Sequence, residues 1–93
     1  MKFDWDKNKA ADNEKKHGVS FEEAQTAFDD YNALLIPDPD HFDEEDRFVL
    51  LGLSAELRML VVCHCYREND ELIRIISARK ATKKESATYE KRK

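Results

Sequence analysis

Six side chains in one stretch could work together chemically: His64, Arg67, Glu71, Arg74, Arg79 and Lys80. A histidine or a glutamate can move protons. Arginine and lysine hold charge that develops on phosphate, and arginine can do so through two parallel hydrogen bonds. Such a set combines groups that move protons with cations that hold an anionic phosphate. The stretch runs into the basic end of the chain. Residues 72–93 carry Arg74, Arg79, Lys80, Lys83, Lys84, Lys91, Arg92 and Lys93 against Glu85 and Glu90, a local charge of +6. Residues 29–46 carry Asp29, Asp30, Asp38, Asp40, Asp43, Glu44, Glu45 and Asp46 and no lysine or arginine, a local charge of −8. A net charge of −4 therefore does not argue against nucleic acid, because the basic quarter has the footprint of a phosphate binder.

The elements that must position these groups can be read from periodicity. Phe3 and Trp5 alternate with Asp4 and Asp6, as in a short strand. Asp6 is placed to cap a polar helix over Lys7–His17, and Gly18 stands where a left-handed residue closes a helix. Ser20 and Glu23 form a capping box for a second helix over 20–29, with Val19 and Ala24 as its hydrophobic staple. Strands are predicted over Tyr31–Pro37, Arg47–Ser54, Leu57–Tyr66 and Leu72–Ala78, with turns at Ala55-Glu56 and Glu68-Asn69-Asp70. Short gaps imply antiparallel neighbours and a meander. Thr82 and Glu85 form a second capping box, for a helix over 82–91 whose only large apolar residue is Tyr89. That helix can bury little and is expected to fray. The reading is one α+β domain over residues 1–93: an antiparallel sheet meander with an N-terminal helical hairpin and a C-terminal helix.

Strict alternation then sorts the candidates. His64 shares a face with Leu60, Val62 and Tyr66. Arg79 shares one with Ile73, Ile75 and Ser77, and Arg74 points the other way with Leu72 and Ile76. Arg79 stands at the exit of the last strand, just before the capped basic helix, where free N–H groups also favour a phosphate. A surface ion pair is the alternative role for it. His64 sits on an apolar face, where a satisfied core histidine is the commoner outcome. His17 at a helix C-terminus can serve the helix dipole as well as a phosphate.

Other groups point to little chemistry. Cys63 and Cys65 are two apart on one strand, cannot easily bond to each other, and read as buried free thiols rather than as half of a zinc site. The loop 38–46 with His41 lacks the order of a calcium loop and reads as solvated or as a face for a basic partner. No metal or other cofactor is expected. No apolar run approaches the roughly 18 residues of a membrane span, and no signal region opens the chain, so a cytoplasmic protein with no membrane partner is expected.

The wording of two segments resembles a known family. Phe3-Asp4-Trp5-Asp6 with Lys9, followed by Lys16-His17-Gly18-Val19-Ser20-Phe21-Glu22-Glu23-Ala24, is similar to the opening of the BrnT toxins. Ile73-Arg74-Ile75-Ile76-Ser77-Ala78-Arg79-Lys80-Ala81-Thr82, with the Lys/Glu-rich helix after it, is similar to their closing signature. The resemblance implies a RelE-like fold and a ribonuclease toxin of a type II toxin–antitoxin system, which stops translation by cutting RNA. It implies a BrnA-like antitoxin partner with a ribbon-helix-helix domain, and operator DNA contacted only through that antitoxin. It makes Arg79, inside the closing signature, the first catalytic candidate. Glu71, eight positions earlier, becomes a base or a group that orients an arginine. Arg67 and His64 complete the catalytic set, and Lys80, Arg74, Lys83, Lys84, Lys9 and His17 are expected to contact RNA. A non-catalytic RNA- or protein-binding module of the same shape is the alternative.

Overall fold

In a computed structural model, which describes residues 1–41 and 47–92, the chain folds as β1 (Lys2–Asp4), α1 (Lys7–His17), α2 (Phe21–Thr26), β2 (Leu34–Pro37), β3 (Arg47–Leu53), β4 (Met59–Arg67), β5 (Leu72–Lys80) and α3 (Lys83–Arg92). The acidic residues Asp43, Glu44, Glu45 and Asp46, and Lys93, lie outside the described residues. One five-stranded sheet has the order β1-β5-β4-β3-β2. Strands β2 to β5 form the expected antiparallel meander. The edge strand β1 departs from it and pairs parallel with the first half of β5, Phe3 opposite Ile73.

The local signals act as read. Asp6 accepts from the N–H groups of Asn8 and Lys9 at 2.8 and 3.0 Å, and Gly18 closes α1 at φ 69°. Thr82 and Glu85 satisfy each other's backbone N–H at 3.1 and 2.8 Å. The first box is only half a box. Ser20 accepts from the Glu23 N–H at 3.0 Å. The Glu23 carboxylate turns away to Ser54 Oγ (2.7 Å) and to the Arg58 guanidinium. Arg58 also donates to the Gly18 carbonyl at 3.0 Å, so one buried carboxylate ties the end of α1, α2 and the β3–β4 turn together. The hydrogen bonds from Arg58, and that from Ser54, hold the Glu23 carboxyl below its ordinary range.

The second helix tightens into a 3₁₀ turn at Ala27–Asp29, and the following strand starts at Leu34 rather than Tyr31. Asp30 is the reason: its side chain and carbonyl take the N–H groups of Asn32 and Ala33 and fold residues 30–33 into a turn. The 3₁₀ turn lies close on β3, where a Cβ at Gly52 would stand 3.0 Å from the Ala27 carbonyl.

Two apolar clusters mark the two faces of the sheet. Val19, Phe21, Ala24 and Ala27 pack with Leu50, Leu60, Val62, Ile73, Ile75 and Ala78, putting α1 and α2 on one face. Leu51, Val61 and Tyr89 form the smaller cluster that seats α3 on the other. The fraying expected of α3 is corrected by one contact. Tyr89 is buried and donates to Asp30 Oδ2 at 2.7 Å, which pushes its phenol up to about 12 and anchors the helix.

The face assignment of Arg79 is also corrected. Val62 pairs with Ala78 and Cys63 with Ser77, but His64 pairs with Ile75. Ile76 is thus an extra residue, a β-bulge, and alternation reverses beyond it. Ala78 enters the core on the α1–α2 face, whereas Ser77 and Arg79 turn to the face of α3. Buried Asn13 of α1 fixes this arrangement. Its side-chain amide donates to the carbonyls of Ala78 (2.8 Å) and Val19 (2.9 Å), and its oxygen accepts from the Ala78 N–H at 3.1 Å. Replacing it strands three buried backbone groups. We expect Asn13→Ala to lower unfolding free energy by about 2–4 kcal/mol, read from urea unfolding curves.

Candidate functional site

The α3 face carries the candidate chemistry. Register across the sheet sets Asp4, Arg74, Cys65 and Arg47 in one row and Ser77, Cys63 and Val49 in the next, with Arg79, Val61 and Leu51 beyond them. Between this face, the Pro37–His41 segment and α3 lies an open cleft of about 360 Å³, lined among others by Asp38, His41, Arg47, Ser77, Arg79 and Glu85.

Arg79 is held inside it by a two-pronged pair with Glu85, at 2.8 and 2.9 Å. The pair pulls the Glu85 carboxyl down to about 2 and raises the Arg79 guanidinium. The carboxylate that caps α3 therefore also aims the arginine. Arg74 meets Asp4 of β1 at 3.2 Å. Both arginines are partly exposed, so each can exchange its carboxylate for a phosphate.

Across the cleft, Asp38 is almost fully buried and organises its loop. It accepts from the Asp40 N–H at 3.0 Å and lies 3.1 Å from His41 Nδ1, with Arg47 Nε at 3.9 Å. His41 is read from the sequence as part of a solvated loop, yet it lines the same cleft as Arg79. The available signal was Pro37-Asp38-Pro39-Asp40-His41: two prolines stiffen a loop that needs an aspartate to fold it.

The four expected catalytic residues do not meet. Arg67 and Glu71 are exposed at the β4–β5 turn, where Glu68, Asn69 and Asp70 all adopt left-handed backbone. Glu71 stands eight strand positions from Arg79, roughly 26 Å along β5. His64 lies on the opposite face, fully buried, with Nδ1 3.0 Å from the Val62 carbonyl. The rings of Phe28, Phe48 and Tyr66 surround it at 4.8, 6.4 and 5.3 Å between centroids. It cannot reach a polymer substrate, and its place in the expected catalytic set is corrected to the core. Lys9 and His17 line a shallow groove with Lys16, Ile76 and Ser77. Ser77 lines both this groove and the cleft. Lys80, Lys83 and Lys84 are exposed around the start of α3.

A sheet with two helices on one face and a cleft of mixed charge beneath a third helix on the other defines a small mixed α+β protein. Its family is given by comparison. The family model described as the ribonuclease toxin BrnT of type II toxin–antitoxin systems matches residues 5–85, and the chain belongs to this family. It is similar to the 1.1 Å crystal structure of the Brucella abortus ribonuclease toxin BrnT, at 26% identity and a TM-score of 0.69, over 89% of this chain and 99% of that one. No curated protein matches the chain. Membership implies an RNA substrate and an antitoxin partner. Among the described residues no helix is long and apolar enough to cross a membrane.

Burial pushes the His64 imidazole below its ordinary value of 6.5. The folded protein thus keeps it neutral, and the unfolded chain takes up its proton first as pH falls. Stability from this site is present above pH 6.5 and lost below it. Urea midpoints should fall between pH 7.5 and 5.5, and His64→Phe should reduce that fall.

Proposed function

We propose that this chain, as one toxin domain over residues 1–93 with a RelE-like fold, is a metal-independent endoribonuclease that stops translation in the cytoplasm. The observation that carries the reading is Arg79, turned by the Ile76 bulge into an open cleft and oriented by Glu85. A fixed, partly exposed guanidinium is suited to a phosphorus gaining negative charge. The attacking group is the RNA's own 2′-hydroxyl. Two of the three carboxylates that line the cleft among the described residues are already paired, Asp38 with His41 and Arg47 and Glu85 with Arg79, which supports this reading. Lys9 and His17 guide the strand along the groove to Ser77. Arg74, Lys80, Lys83 and Lys84 contact phosphates on either side, and Arg67 and Glu71 lie at the far end of that path.

The partner is a BrnA-like antitoxin with a ribbon-helix-helix domain, through which alone the complex meets operator DNA. It blocks the cleft by packing beside the basic surface. Hydrogen exchange should then slow on antitoxin binding within residues 72–93 or 7–17, and uniform exchange in both segments would refute that geometry.

A second reading, a non-catalytic binding module, draws on the same Arg79–Glu85 pair, which occupies the guanidinium before any substrate arrives. Cleavage assays separate the two. Purified protein should cut RNA in EDTA and leave 2′,3′-cyclic phosphate or 3′-phosphate ends and 5′-hydroxyl ends. Arg79→Ala, folded by circular dichroism, should lose about 10²-fold or more. Raised salt should weaken cleavage steeply as phosphate contacts are replaced by counterions. Cleavage that requires Mg²⁺ and leaves 5′-phosphates would refute the mechanism.

A further inference from the structure

We propose that His41 is the proton-moving residue of the cleft and that Asp38 is its positioning residue; the proposal rests on the ribonuclease reading above. The candidates named by sequence leave the cleft without a base, because Glu71 is at the far end of β5 and His64 is buried on the other face. His41 lines the same cleft as Arg79, and its side chain is 39% exposed. Asp38, 4% exposed at its side chain, sits 3.1 Å from Nδ1. A carboxylate there holds the proton on Nδ1 and leaves Nε2 as the open nitrogen. A histidine so oriented accepts a proton at one defined atom, opposite a guanidinium that stabilises charge. This division of roles needs no further group from the protein.

His41 Nε2 takes the proton of the 2′-hydroxyl as its oxygen forms the bond to phosphorus, and Arg79 stabilises the charge gained there. The bond from phosphorus to the 5′-oxygen breaks with its electron pair on that oxygen, which takes a proton from solvent water. The hydroxide left behind is neutralised by the proton that His41 releases. The products are a 2′,3′-cyclic phosphate and a 5′-hydroxyl.

Among the described residues, the charged groups that line the cleft with His41 are Asp38 and Asp40 in its own loop, Arg47 on β3, Arg79 on β5 and Glu85 on α3. Because His41 is partly exposed, its replacement should leave the fold intact. The test is single-turnover cleavage of a short mixed-sequence RNA by the full chain, as wild type, His41→Ala, His41→Gln and Asp38→Asn. His41→Ala and His41→Gln should slow cleavage about 10²- to 10⁴-fold with RNA affinity little changed. Added imidazole should restore part of the His41→Ala rate, and the acid limb of the pH–rate profile should vanish in that variant. Asp38→Asn should slow cleavage while keeping the limb. Wild-type cleavage with His41→Ala within about threefold of it would overturn the role of His41 and leave the ribonuclease reading standing. A wild-type protein that cuts no RNA would overturn both.

Discussion

One backbone irregularity, the extra residue Ile76 in β5, decides which side of the sheet carries the chemistry. Without it, Arg79 would point into the α1–α2 core beside Ile73 and Ile75, where an unpaired guanidinium is not tolerated. With it, Ile73, Ile75 and Ala78 face the core, while Ser77 and Arg79 face the cleft. A bulge costs ladder hydrogen bonds, so something must fix its place. Asn13 does so with one amide that serves Ala78 on both its N–H and its C=O. A buried asparagine on a very polar helix thus sets the register that the basic face depends on.

The same economy recurs on the cleft side. Glu85 caps α3 and orients Arg79. Asp30 folds the 30–33 turn, accepts from the Leu53 N–H and receives the Tyr89 hydroxyl. Glu85 ties α3 to the adjoining strand and Asp30 joins elements distant in sequence, which a chain of this size needs when its second apolar cluster has three buried members among the described residues. The helix α3 is accordingly held by directed polar bonds more than by apolar area.

Much of the fold was legible because it is written locally. Asp6, Gly18 and the Thr82–Glu85 box mark helix ends through their own backbone hydrogen bonds, and neighbours three or four residues away suffice to read them. The faces of β4 were legible from alternation alone. The site was less so. Strict period-two reading misassigned Arg79 because it cannot see an inserted residue, although the adjacent Ile75-Ile76 before Ala78 breaks the period and signals one. The apolar face of β4 already favours a core role for His64, and its burial is completed by Phe28 and Phe48 from other elements. The pairing of Glu23 with Arg58 and the cleft shared by His41 and Arg79 both join positions far apart in the chain, which no local pattern encodes.

The edges of the sheet carry a consequence for self-assembly. An unpaired strand edge is a template on which a second copy can add its own strand. On one side β1 covers β5 only as far as Arg74, and Asn13 occupies the backbone groups of Ala78 beyond it. On the other side β2 is four residues long and ends at Pro37, which has no N–H to offer. Its exposed Leu35 and Ile36 would otherwise make a sticky border. The protein therefore engages part of one border with a side chain and shortens the other, which blunts each as a template for strand addition.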